Sequence, residues 1–264
     1  MDVGRGRREM KSAVREWRNI LPNGRGDAIR QLLILLSSYI AYDLVRFLTT
    51  GRESTAMANA NHIIAFERSL GLYLEPWIQA RISHFHELLL ASNWFYAQVH
   101  IPSIVAFLAW VYLRRNDAFA FFRNAFLLIN AIALSVFALV PVAPPRLLPN
   151  SGIVDTLYVF SRISYESGGL QSITNPFAAL PSLHFGYAVF ISVGLLLLVR
   201  SRWARLAALV YPVMVLAAIV ATGNHFLLDA LAGGLVIAVA YLFTLSGASE
   251  PEVAHVRLRV GRHG

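Results

Sequence analysis

Only 14% of the 264 residues are charged and 56% are hydrophobic, whereas soluble domains carry about a quarter charged residues. The composition therefore excludes an ordinary soluble protein and predicts a polytopic membrane protein. The absence of cysteine excludes disulfides, thiolate catalysis and cysteine-ligated zinc. The net charge of +8 is concentrated at the N-terminus and in short loops, which favours a role in membrane topology, and we expect no nucleic-acid partner.

Apolar runs divide the chain into a basic cytosolic segment (1–30), a membrane domain (31–246) and a basic cytosolic tail (247–264). The predicted fold is all-α, a polytopic bundle of six transmembrane helices with interfacial amphipathic helices. A helix needs about 20 apolar residues to cross a bilayer. The six runs that approach this length are about 32–48, 88–112, 119–142, 183–199, 204–220 and 225–245.

Two connecting segments are predicted to hold short interfacial helices. In residues 50–86, Ile63 and Phe66 recur at helical spacing among other apolar residues, with Glu67 expected on another face. The segment 143–180 is long for a connection in a compact domain, and a short helix is expected near its middle. The charged segment before the first span is long for a signal peptide, which favours an uncleaved span.

The distribution of arginine and lysine predicts the orientation, because cytoplasmic loops carry the excess of these residues. With the N-terminus inside, the inner segments hold the eight basic residues of segment 1–30 together with Arg114, Arg115, Arg200, Arg202, Arg205, Arg257, Arg259 and Arg262. The outer segments hold Arg52, Arg68, Arg81, Arg146 and Arg162. We therefore expect an integral membrane protein, assigned to the plasma membrane, with both termini cytoplasmic.

A histidine and an aspartate open the last apolar run. His225 and Asp229 are four residues apart, so on a helix they share a face, and a carboxylate there would fix the tautomer of the imidazole. Asn224 is predicted to be the helix N-cap, which would place His225 at the exposed tip. This pair fits a nucleophile or general base, and equally well an interfacial histidine paired with an acid for solvation.

A second histidine opens an earlier apolar run. Pro181 is predicted to be the first helical residue, which would leave the N–H groups of Ser182, Leu183 and His184 free to bind phosphate oxygens. His184 would then be a general acid. The alternative is an ordinary junction between a loop and a helix. If the two helix starts lie side by side, their N–H groups and dipoles form a phosphate cradle.

Arg146 stands in a Pro144-Pro145-Arg146 turn before both histidines. A guanidinium binds phosphate through two parallel hydrogen bonds, which favours a phosphate ligand, although an arginine at the interface also contacts lipid headgroups. The case for a phosphate site rests on the three motifs together, which the predicted topology brings to the outer face.

These motifs resemble those of a known family. Arg146 in its turn, the stretch Ala178-Ala179-Leu180-Pro181-Ser182-Leu183-His184, and His225 with Asp229 resemble the three signature motifs of the type 2 phosphatidic acid phosphatase superfamily. The Pro-Ser-Leu-His form is similar to the inositol phosphorylceramide synthase-like branch, as are the stretches that begin at Phe66 and Glu75. The resemblance spans about residues 60–235.

The resemblance implies roles for individual residues. His225 would attack phosphorus to give a phosphohistidine, and Asp229 would orient the imidazole of His225. His184 would protonate the leaving oxygen, and Arg146 would bind phosphate. The resemblance implies no metal and no cofactor. Ser182, Leu183 and Asn224 would also bind the phosphate. Leu139 and Ile219 stand where the phosphatase pattern has a lysine and an arginine. The loss of these two cations favours a phosphodiester substrate, which carries less charge than a phosphate monoester.

The sequence therefore predicts a membrane enzyme that cleaves or transfers the phosphate ester of a lipid phosphate or phosphodiester lipid at the outer face. Hydrolysis and headgroup transfer to a polyol acceptor both remain open, and membrane lipids are the expected surroundings. A protein that binds or transports lipid headgroups without catalysis is the alternative. A metal site at His84 and His86 is disfavoured, because side chains two apart on a helix diverge. His100 is expected to bridge helices or line a lipid path.

Overall fold

The computed structural model describes residues 21–49, 51–162 and 175–247. The regular structure of these residues is helical, with a single isolated bridge between Val142 and Ala178 and no strand among them, which confirms the all-α prediction. Most of the predicted N-terminal segment and nearly all of the predicted tail lie outside the described residues. The helices are α1 (Gly24–Leu48), α2 (Glu53–Ser69), α3 (Glu75–Ser83), α4 (His86–Gln98), α5 (His100–Arg114), α6 (Asn116–Leu139), α7 (Thr156–Ser161), α8 (Leu183–Leu198), α9 (Arg202–Ala221) and α10 (Leu227–Gly247).

Four of these helices, α1, α6, α9 and α10, are long and apolar enough to cross a membrane. Helices α4 and α5 are long and apolar enough when taken together, so the number of candidate spans is five if this bent pair forms one span. The apolar helix α8 has 16 residues and is shorter than the usual span. The helices indicate an integral membrane protein with four or five candidate spans, and the predicted number of six is not established by length and composition.

The predicted second span is broken where α4 meets α5. The two helices are bent by 51°, and Pro102 lies in the first turn of α5. A proline has no N–H to donate and its ring clashes with the carbonyl four residues earlier, which here belongs to Gln98. The helix therefore breaks at Val99, and His100 begins the second half.

The core at the end of the bundle that carries Arg114 and Arg200 is aromatic. Phe107 of α5 meets Phe122 of α6 and Phe190 of α8 edge to face, with ring centroids 5.4 Å and 5.5 Å apart. Tyr241 of α10 closes the cluster against Phe190. Because lipid tails are as apolar as these rings, the helices gain van der Waals contact here rather than exclusion of water.

Helix α2 packs at the other end of the bundle. Its buried face contains Ala56, Ala60, Ile63 and Ile64, which lie with Phe226 in one apolar cluster. Glu67 lies on the same face and is 3% exposed, whereas Phe66 is 50% exposed. The prediction that Glu67 lies on another face was therefore wrong, because this carboxyl group accepts the Leu228 N–H of α10. The interfacial position of α2 and α3 stays a prediction.

The starts of α8 and α10 lie side by side. The Ser182 N–H donates to the carbonyl oxygen of Asp229 at 2.9 Å. A Cβ atom at Gly233 would lie 2.4 Å from the Ser182 carbonyl oxygen, closer than real Cβ contacts occur. Glycine at this position therefore lets the backbones of α8 and α10 touch one turn after Asp229.

Candidate active site

The imidazole of His225 is held from one side by two oxygen acceptors. Its Nδ1 lies 3.0 Å from the Ala179 carbonyl oxygen and 3.4 Å from Oδ2 of Asp229. Both neighbours accept hydrogen bonds, so they favour the tautomer that carries the proton on Nδ1. That tautomer leaves the lone pair on Nε2, which is the arrangement that a nucleophilic histidine needs. The side chain is buried, with 4% of the residue exposed.

Asp229 is completely buried. Its Oδ2 accepts the backbone N–H of Phe226 at 2.9 Å and faces His225, while its Oδ1 has no hydrogen-bond partner among the described residues. A carboxylate fixed in this way stabilises positive charge on the imidazole and orients the ring. The predicted contact between these two residues is therefore formed, although Ala179 is the nearer partner of Nδ1.

His184 is clamped between aromatic rings next to His225. Its ring stacks on Tyr96 with centroids 4.3 Å apart and on His100 with centroids 4.0 Å apart. The rings of His184 and His225 have centroids 5.5 Å apart. His100 stacks in turn on Tyr187 at 5.3 Å. The break before α5 thus places His100 beside His184, a contact that no sequence pattern indicated.

A small apolar recess lies beside His184, with a cavity volume of only about 10 Å³. Its walls come from α4, α5, α8 and α9. The lining residues are Phe95, Tyr96, His100, His184, Tyr211, Val215, Ala218 and Ile219. This volume is far below the roughly 300–1,000 Å³ of a ligand pocket, so these side chains pack closely around His184.

The start of α8 differs from the prediction. The helix begins at Leu183, and Ser182 is its N-cap, with Oγ accepting the Phe185 N–H at 3.3 Å. Pro181 therefore lies before the cap rather than at the first helical position. The Ser182 N–H is taken by Asp229 and cannot bind phosphate. The N–H groups of Leu183 and His184 remain, since the first turn of a helix has no internal partners for them.

The start of α10 differs more strongly. The helix begins at Leu227, so Asn224 is not its N-cap, and His225 precedes the helix. Three buried carboxyl groups take three successive N–H groups at this end. Phe226 donates to Asp229, Leu227 donates to Glu75 at 2.7 Å, and Leu228 donates to Glu67 at 2.9 Å. The anion site of this helix is therefore filled by the protein's own side chains and is not available to a phosphate.

Glu67 and Glu75 form a buried pair of acids, 3% and 0% exposed. The second carboxyl oxygen of each has no hydrogen-bond partner among the described residues. Burial, assisted by the neighbouring Glu75 and Asp229, raises the pKa of Glu67 to about 8, against the lowering effect of the Leu228 N–H. Glu67 therefore stays protonated at neutral pH. Two like charges in one buried site could not both ionise at low cost.

Three contacts with residues that the structure describes position Arg146. Its backbone N–H donates to the Gly223 carbonyl oxygen, its Nε donates to Oδ1 of Asn224 at 2.9 Å, and its Nη1 pairs with Oδ2 of Asp155 at 2.8 Å. Only 3% of its side chain is exposed. The structure brings Arg146 beside Asn224, the residue before His225. The Asn224 oxygen that was expected to serve the helix or the phosphate is used to hold this guanidinium.

Gly223 makes this approach of Arg146 possible. It has a φ of +69°, and a Cβ atom there would lie 2.6 Å from Ile153 and 3.2 Å from Cβ of Arg146. Other residues rarely adopt this φ. The turn after α9 therefore requires glycine to bring Asn224 and His225 against the Arg146 turn.

Sequence reasoning missed Asp155 and the contact of Tyr96 with His184. It placed Glu67 on the wrong helix face, and it noted Glu75 only in a stretch of the family resemblance. Asp155 precedes a helix and accepts the Tyr158 N–H, so its N-cap character was a usable signal. The stacking contacts join residues far apart in the chain, and no local pattern marks them. Within the described part of the chain, no group of three His, Cys, Asp or Glu side chains is placed to hold a metal ion.

The comparisons with known proteins give one match. The family model described as PAP2 superfamily matches residues 61–243, a range that contains all the site residues described above. No curated protein matches the chain, and no solved structure matches it.

Proposed function

The chain belongs to the PAP2 superfamily, and we propose that it is a membrane enzyme that cleaves or transfers the phosphate ester of a lipid through a phosphohistidine on His225. The observation that carries this proposal is the pair of acceptors on Nδ1, Ala179 and Asp229, which direct the lone pair of the ring to Nε2. Superfamily membership indicates a phosphatase or phosphotransferase type of enzyme. The resemblance further implies that no metal takes part.

In the first step, Nε2 of His225 attacks phosphorus and the bond from phosphorus to the leaving alcohol oxygen breaks. His184 donates a proton to that oxygen, so the lipid alcohol leaves neutral. The imidazole gains positive charge as the P–N bond forms, and the buried Asp229 stabilises it. Tyr96 and His100 hold the His184 ring in place by stacking.

In the second step, an oxygen nucleophile attacks the phosphohistidine and the P–N bond breaks. His184, now without its proton, accepts the proton of the nucleophile. Water as nucleophile gives hydrolysis, whereas an alcohol gives transfer. Arg146 and the N–H groups of Leu183 and His184 bind the phosphoryl oxygens, and Asn224 holds Arg146. Ser182 contributes by capping α8, and only its hydroxyl proton remains for the phosphate.

His225→Ala tests the nucleophile, with His62→Ala as the control because His62 lies on the exposed face of α2. With a lipid labelled at the phosphate, wild type and His62→Ala should turn over and trap label on the protein. His225→Ala should lose both turnover and trapped label. Normal turnover by His225→Ala would refute the mechanism.

The nature of the second nucleophile is tested with purified protein, lipid phosphates and phosphodiester lipids, with and without a polyol. Release of inorganic phosphate supports a phosphatase, and a new phosphodiester lipid supports the transferase of the inositol phosphorylceramide synthase-like branch. Binding of headgroups that survives in His225→Ala, with no turnover by wild type, would instead indicate the headgroup-binding or transport protein.

We also propose six spans, formed by α1, the bent pair α4 and α5, α6, α8, α9 and α10. Both termini would be cytoplasmic and the site would face outward at the plasma membrane. The excess of arginine at the end of the bundle opposite His225 supports this orientation. Because the chain has no cysteine, Asn150→Cys and Arg200→Cys can be labelled singly in intact cells. Labelling of residue 200 but not residue 150 by an impermeant reagent would overturn the orientation.

A further inference from the structure

The guanidinium of Arg146 already has a carboxylate partner before any phosphate arrives. Nη1 of Arg146 lies 2.8 Å from Oδ2 of Asp155. The other oxygen of this carboxylate, Oδ1, accepts the Tyr158 N–H at 3.0 Å, because Asp155 is also the N-cap of α7. Asp155 is thus fixed by a helix on one side and an arginine on the other, and the pair is a built feature of the site.

The pairing removes the net positive charge from the arginine turn. Among the described residues, the buried carboxyl groups Asp229, Glu67 and Glu75 near His225 add no positive charge. The proton that His184 carries in the proposed first step serves the leaving oxygen and not the arginine turn. The two positions that carry a cation in the phosphatase pattern are apolar in this chain. Leu139 is 75% exposed, and Ile219 is buried in an apolar cluster. A phosphate that reaches Arg146 therefore meets a neutral pair rather than a free cation.

This balance affects phosphates of different charge differently. A phosphate monoester has a second pKa near 6 and is mainly a dianion at neutral pH. A phosphodiester has a single ionisable oxygen and is a monoanion. The carboxylate of Asp155 repels both, but it repels the dianion more, and in a site sheltered from water such repulsion is not well screened.

We infer that Asp155 is a specificity-determining residue that balances the charge of Arg146 and so makes the site select a monoanionic phosphodiester over a dianionic monoester. The inference rests on the proposed function, since it assumes that Arg146 binds the phosphate. Asp155 acts through Arg146 and takes no part in bond making.

Asp155→Asn is the sharpest test, because asparagine keeps the N-cap of α7 and removes only the charge. Asp155→Glu keeps the charge, and Asp43→Asn is the matched control, since Asp43 pairs with Arg46 on α1 at 2.7 Å, away from the site. Binding of inorganic phosphate at pH 8 and of dimethyl phosphate is measured on the purified protein. The probes are a dianion and a monoanion without a lipid chain.

We expect Asp155→Asn to raise the affinity for phosphate relative to dimethyl phosphate by about tenfold to a hundredfold. Asp155→Glu and Asp43→Asn should keep the wild-type ratio. The same direction is expected in kcat/KM for a lipid monophosphate against a phosphodiester lipid. If Asp155→Asn unfolds, Asp155→Ser keeps a capping oxygen and serves in its place.

The ratio of affinities separates the two proposals. An unchanged ratio in Asp155→Asn, in a protein whose wild type forms phosphohistidine, overturns the role of Asp155 and leaves the function intact. A changed ratio in a protein without turnover supports the role of Asp155 in phosphate recognition and counts against the proposed catalysis. Equal gains for both probes would also overturn the inference, because a purely structural effect does not distinguish their charges.

Discussion

The starts of α8 and α10 lie against each other, but their backbone N–H groups differ in whether the protein supplies hydrogen-bond acceptors for them. At α8, Ser182 caps one N–H group, and the N–H groups of Leu183 and His184 are left without a helical partner. At α10, three successive N–H groups bind the carboxyl groups of Asp229, Glu75 and Glu67. One helix start is open to an anion, and the other is closed by carboxyl groups of the protein.

The difference assigns separate tasks to the two helices. The carboxyl groups bound at the start of α10 fix the backbone next to His225. The orientation of the His225 ring is thereby set, and a nucleophilic histidine needs a fixed orientation. Leaving the start of α8 open keeps donors and His184 beside the place where the phosphate would bind. A helix start rich in polar residues therefore identifies an anion site, but it does not reveal whether that site is occupied by the protein itself.

His184→Ala should have the largest effect in this comparison. Loss of a general acid should slow turnover by about 10²–10⁴-fold, because the lipid alcohol would leave as an alkoxide. A substrate whose leaving group is a nitrophenol does not need protonation, and its turnover should fall much less. Equal losses for both substrates would contradict the role of His184 as acid and indicate a structural role in the aromatic stack.

Glu75→Ala tests whether the closed start of α10 stabilises the fold. The substitution leaves the Leu227 N–H without its partner in a buried setting, which should lower the free energy of unfolding by about 1–3 kcal/mol. Glu75→Gln keeps an acceptor oxygen and should cost less. Thermal or denaturant unfolding in detergent measures both, and equal stability of Glu75→Ala and wild type would show that this bond is dispensable.

The pH dependence of stability tests Glu67. Its pKa is raised from 4.5 to about 8 in the folded protein, so between these values the folded state holds a proton that the unfolded chain has lost. Stability should therefore fall as the pH rises through this window. Glu67→Gln should flatten this part of the profile, whereas Glu87→Gln, an exposed residue of α4, should not. A wild-type melting temperature that rises between pH 5 and pH 8 would contradict the shared burial of the acids.

The helical bundle was predictable because apolar runs report directly on membrane burial, and each of the six runs coincides with a helix or the bent pair. The break at Val99 was not predicted, although Pro102 was a visible signal. The chain continues apolar through the break, and hydropathy does not register a lost hydrogen bond.

The interior of the site was less predictable, because the partners are distant in the chain. Asn224 has the side chain of an N-cap, but its oxygen is claimed by Arg146, 78 residues earlier. Glu67 and Glu75 accept N–H groups of α10 that lie 161 and 152 residues after them in the chain. Local sequence patterns show which side chains can form hydrogen bonds. Which of the possible partners each side chain binds depends on the fold.

The backbone contact at Gly233 affects the relative position of His184 and His225. Since α8 and α10 touch through backbone atoms at Ser182, the offset between His184 and His225 is set by main-chain contact and not by compressible side chains. A thicker or thinner bilayer can tilt the pair of helices together, but it cannot slide one along the other without breaking the Ser182–Asp229 bond. We therefore expect the spacing of the two imidazoles to change little with the thickness of the surrounding bilayer.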